Sequence, residues 1–134
     1  MDPNRLTAIP IFSELSEEEA RRLATYATET SCAEGQILMK QGDYSTELIA
    51  IEEGTADVIR DGQKVASLKD GDLIGEMGLL ERRPRNADVI ATSPMRVVKL
   101  THWEIRRMSQ DTVDRIQKTI EERRQAGHGD PGEG

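Results

Sequence analysis

Between residues 28 and 101, glycines recur at short intervals and separate segments rich in aliphatic and β-branched side chains. The glycines are at positions 35, 42, 54, 62, 71, 75 and 78, and the segments are 37–39, 48–51, 56–59, 64–68, 88–91 and 95–100. Short β-prone segments bounded by turn residues predict an antiparallel sandwich or barrel. Asp61-Gly62 stands between two of the segments and is the strongest hairpin signal in the chain.

A helix is predicted before this region, over residues 16–27. Ser16, followed three residues later by Glu19, forms a capping-box motif and places the start of the helix at Ser16. The apolar residues after it recur at helical spacing and are Ala20, Leu23, Ala24 and Ala27. We expect a hydrophobic lead-in to pack ahead of the cap, formed by Ile9, Ile11, Phe12 and Leu15.

The chain is predicted to be helical again after the last β-prone segment. Thr101 can cap a short turn whose apolar residues are Trp103, Ile105 and Met108, and Trp103 is expected in the core or as a helix anchor. A last helix, capped by Ser109 or Asp111, carries an apolar stripe formed by Val113, Ile116 and Ile120. Residues 127–134 are polar and rich in glycine, so a disordered tail is predicted after a single domain at 1–126.

The composition excludes several classes of function. The chain has 134 residues, with 18 Lys and Arg against 25 Asp and Glu, a net charge of −7 that argues against nucleic-acid and anionic-membrane binding. It has no apolar run of about 18 residues, so neither a membrane span nor a signal peptide is predicted. Its single cysteine, Cys32, fits a reducing compartment, and a cytoplasmic location is expected.

The segment from Gly75 to Ala87 combines groups that suit a ligand with both hydroxyl and phosphate groups. Its two parts read Gly-Glu-Met-Gly-Leu-Leu at 75–80 and Pro-Arg-Asn-Ala at 84–87. Glu76 can accept hydrogen bonds from two hydroxyls, and Arg85 can donate two parallel hydrogen bonds to phosphate oxygens. Gly75 lets the backbone approach closely at the start of a short helical turn, whose free amides favour an anion. We interpret the segment as a phosphate-binding cassette.

In its order and spacing, this cassette resembles that of the cyclic nucleotide-binding domain family, which includes catabolite-activator proteins and protein kinase A regulatory subunits. The resemblance extends over residues 9–125. Further motifs that carry it are Ile-Pro-Ile-Phe-Ser-Glu-Leu-Ser at 9–16, Glu-Gly-Gln-Ile-Leu at 34–38, Gln-Gly-Asp at 41–43, Ile-Glu-Glu-Gly at 51–54 and Asp-Gly-Asp-Leu-Ile-Gly-Glu at 70–76. The implied fold is mainly β with flanking helices. It is an antiparallel β-roll, or double-sheet jelly roll, with an N-terminal helix, a short cassette helix and C-terminal lid helices.

The resemblance also implies roles for individual residues. Glu76 would bind the ribose 2′-hydroxyl, and Arg85 would pair with the cyclic phosphate. Backbone amides of the cassette, near Asn86 and Ala87, would assist Arg85. Gly75 would keep the floor of the pocket open, and Met77 is also expected among the ligand-binding residues. Leu79 and Leu80 would anchor the cassette helix. The last helix would close over the base as a lid, with candidate contacts from Val113, Ile116 and Ile120.

The cassette departs from the usual family pattern at two positions. Asn86 stands where a hydroxyl residue is associated with guanine recognition and alanine with adenine, so the choice of base stays open. Asp88 stands where threonine is frequent, and on a strand its side chain shares a face with that of Asn86. A carboxylate there would repel phosphate unless it turns to solvent or pairs with Arg82 or Arg83.

The expected function is a non-enzymatic receptor module for a cyclic nucleotide, with cAMP favoured over cGMP and no cofactor. Its expected partners are an effector protein or a second copy, contacted through the C-terminal helices. No metal is expected, because residues 28–101 contain no histidine. Glu76 and Arg85 could instead form a structural ion pair. The alternatives are a degenerate fold that acts as an interaction or dimerisation module without ligand, and a fragment of a transcription regulator.

Overall fold

Two four-stranded antiparallel sheets form a roll in the computed structural model, which describes residues 1–44, 47–74, 85–108 and 110–125. The strands in chain order are β1 (Thr28–Cys32), β2 (Ile37–Met39), β3 (Glu47–Glu53), β4 (Ala56–Arg60), β5 (Gln63–Leu68), β6 (Leu73–Ile74), β7 (Asp88–Ala91) and β8 (Met95–Thr101). One sheet has the order β1-β8-β3-β6 and the other β2-β7-β4-β5. The predicted antiparallel double-sheet roll is confirmed.

Helices flank the roll at both ends of the described chain. They are α1 (Pro3–Thr7), a 3₁₀ helix (Pro10–Phe12), α2 (Glu17–Tyr26), α3 (His102–Arg106) and α4 (Gln110–Gln125). The predicted cassette helix and the predicted tail at 127–134 lie outside the described residues, as does Ser109, one of the two candidate caps of α4. None of the described helices is both long and apolar enough to cross a bilayer.

Strand β3 is buried on both faces and separates two hydrophobic cores. Leu48 and Ala50 face the helices, where they join residues of α1, α2, α3 and α4. Ile49 and Ile51 face the interior of the roll, together with residues of both sheets. Successive side chains of a strand point to opposite faces, so one strand contributes to both cores. The roll and the helical layer therefore share a single sheet.

The predicted hairpin at Asp61-Gly62 is confirmed. β4 and β5 pair in an antiparallel register, with Arg60 opposite Gln63. Asp61 and Gly62 have φ angles of 52° and 80°. A two-residue type I′ turn requires positive φ at both central positions, and its twist matches that of the strands.

The structure confirms the caps predicted at Ser16 and Thr101, whereas Asp111, a candidate cap of α4, lies inside that helix in its first turn. The Ser16 hydroxyl accepts from the Glu19 backbone N–H at 3.1 Å, and the Glu19 carboxylate accepts from the Ser16 N–H at 2.9 Å. Thr101 and Glu104 make the same reciprocal pair at the start of α3. These bonds satisfy amides that have no partner within the helix.

The placement of Trp103 differs from the prediction of a core position, since its side chain is 56% exposed. The buried apolar side chains of this turn are Ile105 and Met108. Trp103 precedes Ile105 by two positions, which is about 200° of rotation on a helix, so it points to the opposite side.

Helix α1 was not predicted, and its docking depends on a distant strand. The Arg5 guanidinium donates to both carboxylate oxygens of Glu52, through Nε at 3.0 Å and Nη2 at 2.7 Å. The Arg5 side chain also pairs with Glu29 of β1. Hydrogen bonding from Arg5 holds the pKa of the Glu52 carboxyl below its usual value, against the opposing effect of burial. These contacts attach the N-terminal helix to the sheet.

Gly54 has a backbone conformation and surroundings that exclude a side chain, and we expect Gly54→Ala to destabilise the fold. Its φ is 116°, and an added Cβ would lie 2.7 Å from Met95 Cγ and 2.8 Å from the carbonyl oxygen of Pro94. Strain and overlap together should lower the free energy of unfolding by about 2–4 kcal/mol in urea titration. Gly35→Ala is the matched control, because Gly35 has a φ of 88° but no atom within 4 Å of an added Cβ. Equal losses in the two variants would contradict the steric argument.

We expect the protein to lose stability in acid because of the carboxylate of Glu19. Burial opposes its ionisation, but hydrogen bonds from Thr112, Ser16 and Arg115 outweigh burial and lower its pKa from 4.5 to about 2. The folded state therefore binds fewer protons than the unfolded state between these values. The ionised Glu19 therefore adds about 1–3 kcal/mol to the free energy of unfolding. This contribution is complete above pH 4.5 and is lost as the pH falls towards 2.

Urea unfolding at pH 6, 4 and 3 measures this contribution. Glu19→Gln keeps a residue that suits the capping box but removes the ionisable group, so its stability should fall less steeply with acid than that of wild type. Glu18→Gln, at an exposed position on the same helix, should retain the wild-type slope. The assignment is wrong if the two variants show the same pH dependence.

Candidate functional site

The described chain contains one half of the predicted cassette. Arg85, Asn86 and Ala87 lie in the segment that leads into β7. The other predicted cassette residues fall in 75–84, outside the described residues, and are Gly75, Glu76, Met77, Leu79, Leu80, Arg82 and Arg83. The proposed pairing of Glu76 with a hydroxyl pair therefore stays a prediction, as does its alternative of an ion pair with Arg85.

Arg85 is buried, with 3% of its surface exposed, and its backbone is fixed by the loop between β2 and β3. Its N–H donates to the carbonyl of Asp43, and its carbonyl accepts from the N–H of Gly42, both at 2.8 Å. Its guanidinium Nη2 donates to the carbonyl of Glu47, at the start of β3, at 2.8 Å. A buried cation is costly unless acceptors surround it, so this position suits an anionic group.

The residues after Arg85 alternate between the interior and the surface of the roll. Ala87 is buried in the roll core beside Val89. Asn86 is half-buried, and its backbone carbonyl accepts a hydrogen bond from Arg60 Nε at 3.2 Å. The side-chain oxygen of Asn86 is buried, with no hydrogen-bond partner among the described residues. Burial thus alternates along this segment, with Arg85 and Ala87 buried and Asn86 half-buried between them.

Asp88 has a structural partner that the sequence did not indicate. Its carboxylate Oδ1 accepts from the backbone N–H of Gln41 at 2.7 Å. We expected this carboxylate to repel phosphate unless it turned to solvent or paired with an arginine. The hydrogen bond from Gln41 instead directs one of its oxygens to the β2–β3 loop, which gives Asp88 a role in fixing that loop.

The candidate lid residues occupy the helical core. Ile116 is buried there, and Val113 packs against the same cluster. The Glu19 carboxylate of α2 accepts hydrogen bonds from Thr112 and Arg115 of α4. The side chain of Ile120 lies outside the described residues. In this structure α4 is therefore docked on the N-terminal helices through both polar and apolar contacts.

Two further features of the described chain concern its thiol and its potential metal ligands. Cys32 is buried, and desolvation raises the pKa of its thiol, which disfavours the thiolate. Across the described ranges, no three His, Cys, Asp or Glu side chains group as a metal site would require.

Sequence reasoning assigned no role to Glu47 and Arg60, which contact the Arg85 segment, or to Gln41, which donates to Asp88. Glu47 accepts from Arg85 through its backbone carbonyl, a group that leaves no signature in the sequence. Arg60 stands at the end of β4, and its contact with Asn86 spans 26 positions. Gln41 was visible as part of the Gln-Gly-Asp motif but had no assigned role. The glycine at position 42 was the one sequence signal of a specific loop conformation there, and in the structure its φ is 90°.

Comparison with known proteins places this chain in a family. The model of the cyclic nucleotide-binding domain matches residues 29–112, well over half of the chain. A cAMP-dependent protein kinase regulatory subunit of Hypocrea atroviridis is 34% identical over 100 residues, which cover 75% of this chain and 22% of the relative. The chain thus spans less than a third of the length of the curated relatives it matches.

Solved structures show the same fold. A cyclic nucleotide-binding domain from Methylobacillus flagellatus KT has a TM-score of 0.80 at 23% identity, with 92% of this chain and 74% of the other covered. The regulatory domain of Toxoplasma gondii PKA, crystallised with cAMP, has a TM-score of 0.75 at 24% identity, with 90% and 48% covered. By the family match and the fold, this chain belongs to the cyclic nucleotide-binding domain family.

Proposed function

We propose that this chain is a receptor module for a cyclic nucleotide, with cAMP preferred over cGMP, and that it transmits the binding signal through its C-terminal helices. The proposed domain spans residues 1–126 and acts without catalysis or cofactor. The names of the relatives, which are regulatory subunits of a cAMP-dependent kinase, support a regulatory role. The proposed partner is an effector protein or a second copy that contacts the C-terminal helices.

The observation that carries the proposal is the buried guanidinium of Arg85. Arg85 is buried, its backbone is bonded to the β2–β3 loop, and its guanidinium Nη2 donates to the Glu47 carbonyl. Its side chain is therefore already ordered before a ligand arrives. Pre-ordering lowers the entropy that binding costs, and hydrogen bonds from arginine to phosphate are about twice as strong as neutral ones.

The preference for cAMP rests on Asn86 and on the relatives. Asn86 lacks the hydroxyl that the family resemblance associates with guanine. A hydrogen bond from Arg60 to its backbone carbonyl fixes its backbone, directly after Arg85 in the chain. Kinase regulatory subunits named for cAMP match this chain at 34% and 36% identity. These observations favour adenine as the base.

Transmission is proposed to begin at the contact between Arg85 and Glu47. Glu47 opens β3 and pairs with Thr101 across the β3–β8 ladder. Thr101 is the N-cap of α3, so a shift at Glu47 reaches the helix start through one strand pairing. A phosphate that draws the guanidinium away from the Glu47 carbonyl would remove a hydrogen bond that holds Glu47 opposite Thr101. The proposed path therefore begins at the hydrogen bond between Arg85 and Glu47 and ends at the Thr101 cap of α3.

The proposed mechanism requires two positions of α4, one docked on the N-terminal helices and one closed over the bound base. The structure contains the docked position. Ile116 and the hydrogen bonds to Glu19 hold α4 against the N-terminal helices. A helix that closes over a bound base must leave these contacts. Ligand can shift this equilibrium only to the extent that it prefers the closed state. The docked helix therefore competes with binding.

Isothermal titration with cAMP and cGMP, on protein refolded to remove carried nucleotide, tests the receptor function. Wild type should bind one cAMP per chain, with weaker binding of cGMP. Arg85→Ala should weaken cAMP binding by about ten- to more than a hundredfold, because it removes charge-assisted bonds to phosphate.

Arg22→Ala is the control, because it removes the same charge from an exposed position on α2 and should bind like wild type. Thermal unfolding of each variant shows whether the roll remains folded. Absence of heat and of thermal shift with both nucleotides would reject the receptor function in favour of an interaction module without ligand. Wild-type affinity in Arg85→Ala would reject the role of this residue.

Glu19→Gln should tighten cAMP binding, although Glu19 lies outside the predicted phosphate site. The substitution weakens the hydrogen bonds from Thr112 and Arg115 and so destabilises the docked position of α4. If docking competes with binding, the dissociation constant should fall by roughly three- to tenfold. Glu18→Gln, with the same charge change on the exposed side, should leave it unchanged. Unchanged or weaker binding in Glu19→Gln would contradict the competition.

A further inference from the structure

Gln41, in the loop between β2 and β3, makes hydrogen bonds to two separate parts of the roll. Its side-chain Nε2 donates to Asp61 Oδ1 at 2.8 Å, and its Oε1 accepts from the Asp61 backbone N–H at 3.0 Å. Its own backbone N–H donates to Asp88 Oδ1 at 2.7 Å. The loop is thereby fixed to the β4–β5 turn on one side and to β7 on the other.

The two residues that follow Gln41 hold the backbone of Arg85. Gly42 donates to the Arg85 carbonyl and Asp43 accepts from the Arg85 N–H, both at 2.8 Å. Arg60, next to the same turn, donates to the carbonyl of Asn86 at 3.2 Å. The end of the β4–β5 hairpin therefore supports the Arg85 segment twice, directly through Arg60 and indirectly through Asp61 and Gln41. We call Gln41, Arg60 and Asp61 the brace.

We propose that Gln41 is a positioning residue for anion binding at Arg85, and that its reciprocal hydrogen bonds with Asp61 set the geometry of the Arg85 segment. The proposal rests on the proposed function, since it assigns the support of the same site. Two parallel hydrogen bonds to a phosphate require a fixed orientation of the guanidinium. Because residues 42–43 are the backbone partners of Arg85, a shift of the loop moves Arg85 with it.

The brace is suited to positioning and contributes little to folding. The bonds between Gln41 and Asp61 are exposed. Exposed polar pairs contribute little to the free energy of unfolding, because water replaces each partner at small cost. Asp61 also has a φ of 52°, a conformation that Asp and Asn tolerate better than other side chains. Loss of the bonds between Asp61 and Gln41 should therefore move the β2–β3 loop, while the β4–β5 hairpin stays formed.

An exchange of amide and carboxylate between positions 41 and 61 tests the proposal. Gln41→Glu places two carboxylates together and removes the donor to Asp61. Asp61→Asn keeps an acceptor for Gln41 Nε2 and suits the positive φ. The double variant Gln41→Glu/Asp61→Asn restores a donor–acceptor pair with its direction reversed, at the same net charge as wild type. The dissociation constant for cAMP is measured for all four proteins by titration, with thermal unfolding in parallel.

Gln41→Glu should weaken cAMP binding by roughly 5- to 30-fold, and Asp61→Asn should remain within about threefold of wild type. The double variant should return to within about threefold. A purely structural role would lower the unfolding temperature and leave the affinity of the folded protein unchanged. Wild-type affinity in Gln41→Glu, or a double variant as weak as Gln41→Glu, would overturn the proposal. Failure of wild type to bind cAMP would instead overturn the receptor function.

Discussion

The burial of β3 and β8 on both faces is the constraint on which the rest of the structure depends. Residues of one face, such as Leu48, belong to the helical core, and residues of the other, such as Ile49, belong to the roll core. A one-residue slip in register would exchange the two faces and disrupt both cores. The central part of the shared sheet therefore resists a change of register, and in the proposed mechanism movement is confined to the strand ends and the helices over the sheet.

Local signals in the sequence were sufficient for much of this fold, and distant contacts explain what they missed. The Asp61-Gly62 turn, the Ser16–Glu19 capping box and the Thr101 cap depend on residues no more than three positions apart. Sequence reasoning therefore found them, although it did not name Glu104 as the partner of Thr101. Strand β1, Thr28–Cys32, was not distinguished, because one edge strand with a single fully buried residue lacks an apolar pattern. Helix α1 depends on Arg5 and Glu52, which are 47 positions apart. Helical spacing also could not place Trp103, whose turn is too short to establish a face.

The candidate site divides in the same way between side-chain chemistry and support. Arg85 was chosen as a phosphate ligand because few residues bind phosphate with two parallel bonds, and this role stays a prediction. Its supports could not be predicted, since the carbonyl of Glu47 and the amide of Gly42 are backbone groups that every residue possesses. Asp88 was judged by its charge alone, whereas the structure gives it the N–H of Gln41 as a partner. A carboxylate near an anion site thus has a structural purpose that spacing does not reveal.

The strength of α4 docking is compatible with control by a small ligand. Burial of one side chain the size of Ile116 contributes about 1.5–3 kcal/mol, and charge-assisted bonds such as those of Glu19 contribute about 1.5–3 kcal/mol. A shift from one conformation to the other requires about 5.5 kcal/mol of differential binding. The two quantities are of the same size. In the proposed mechanism, a longer apolar interface would hold α4 more strongly than this one does. Water can replace the hydrogen bonds of Glu19 with Thr112 and Arg115 when the helix moves, so their loss costs little beyond that contribution.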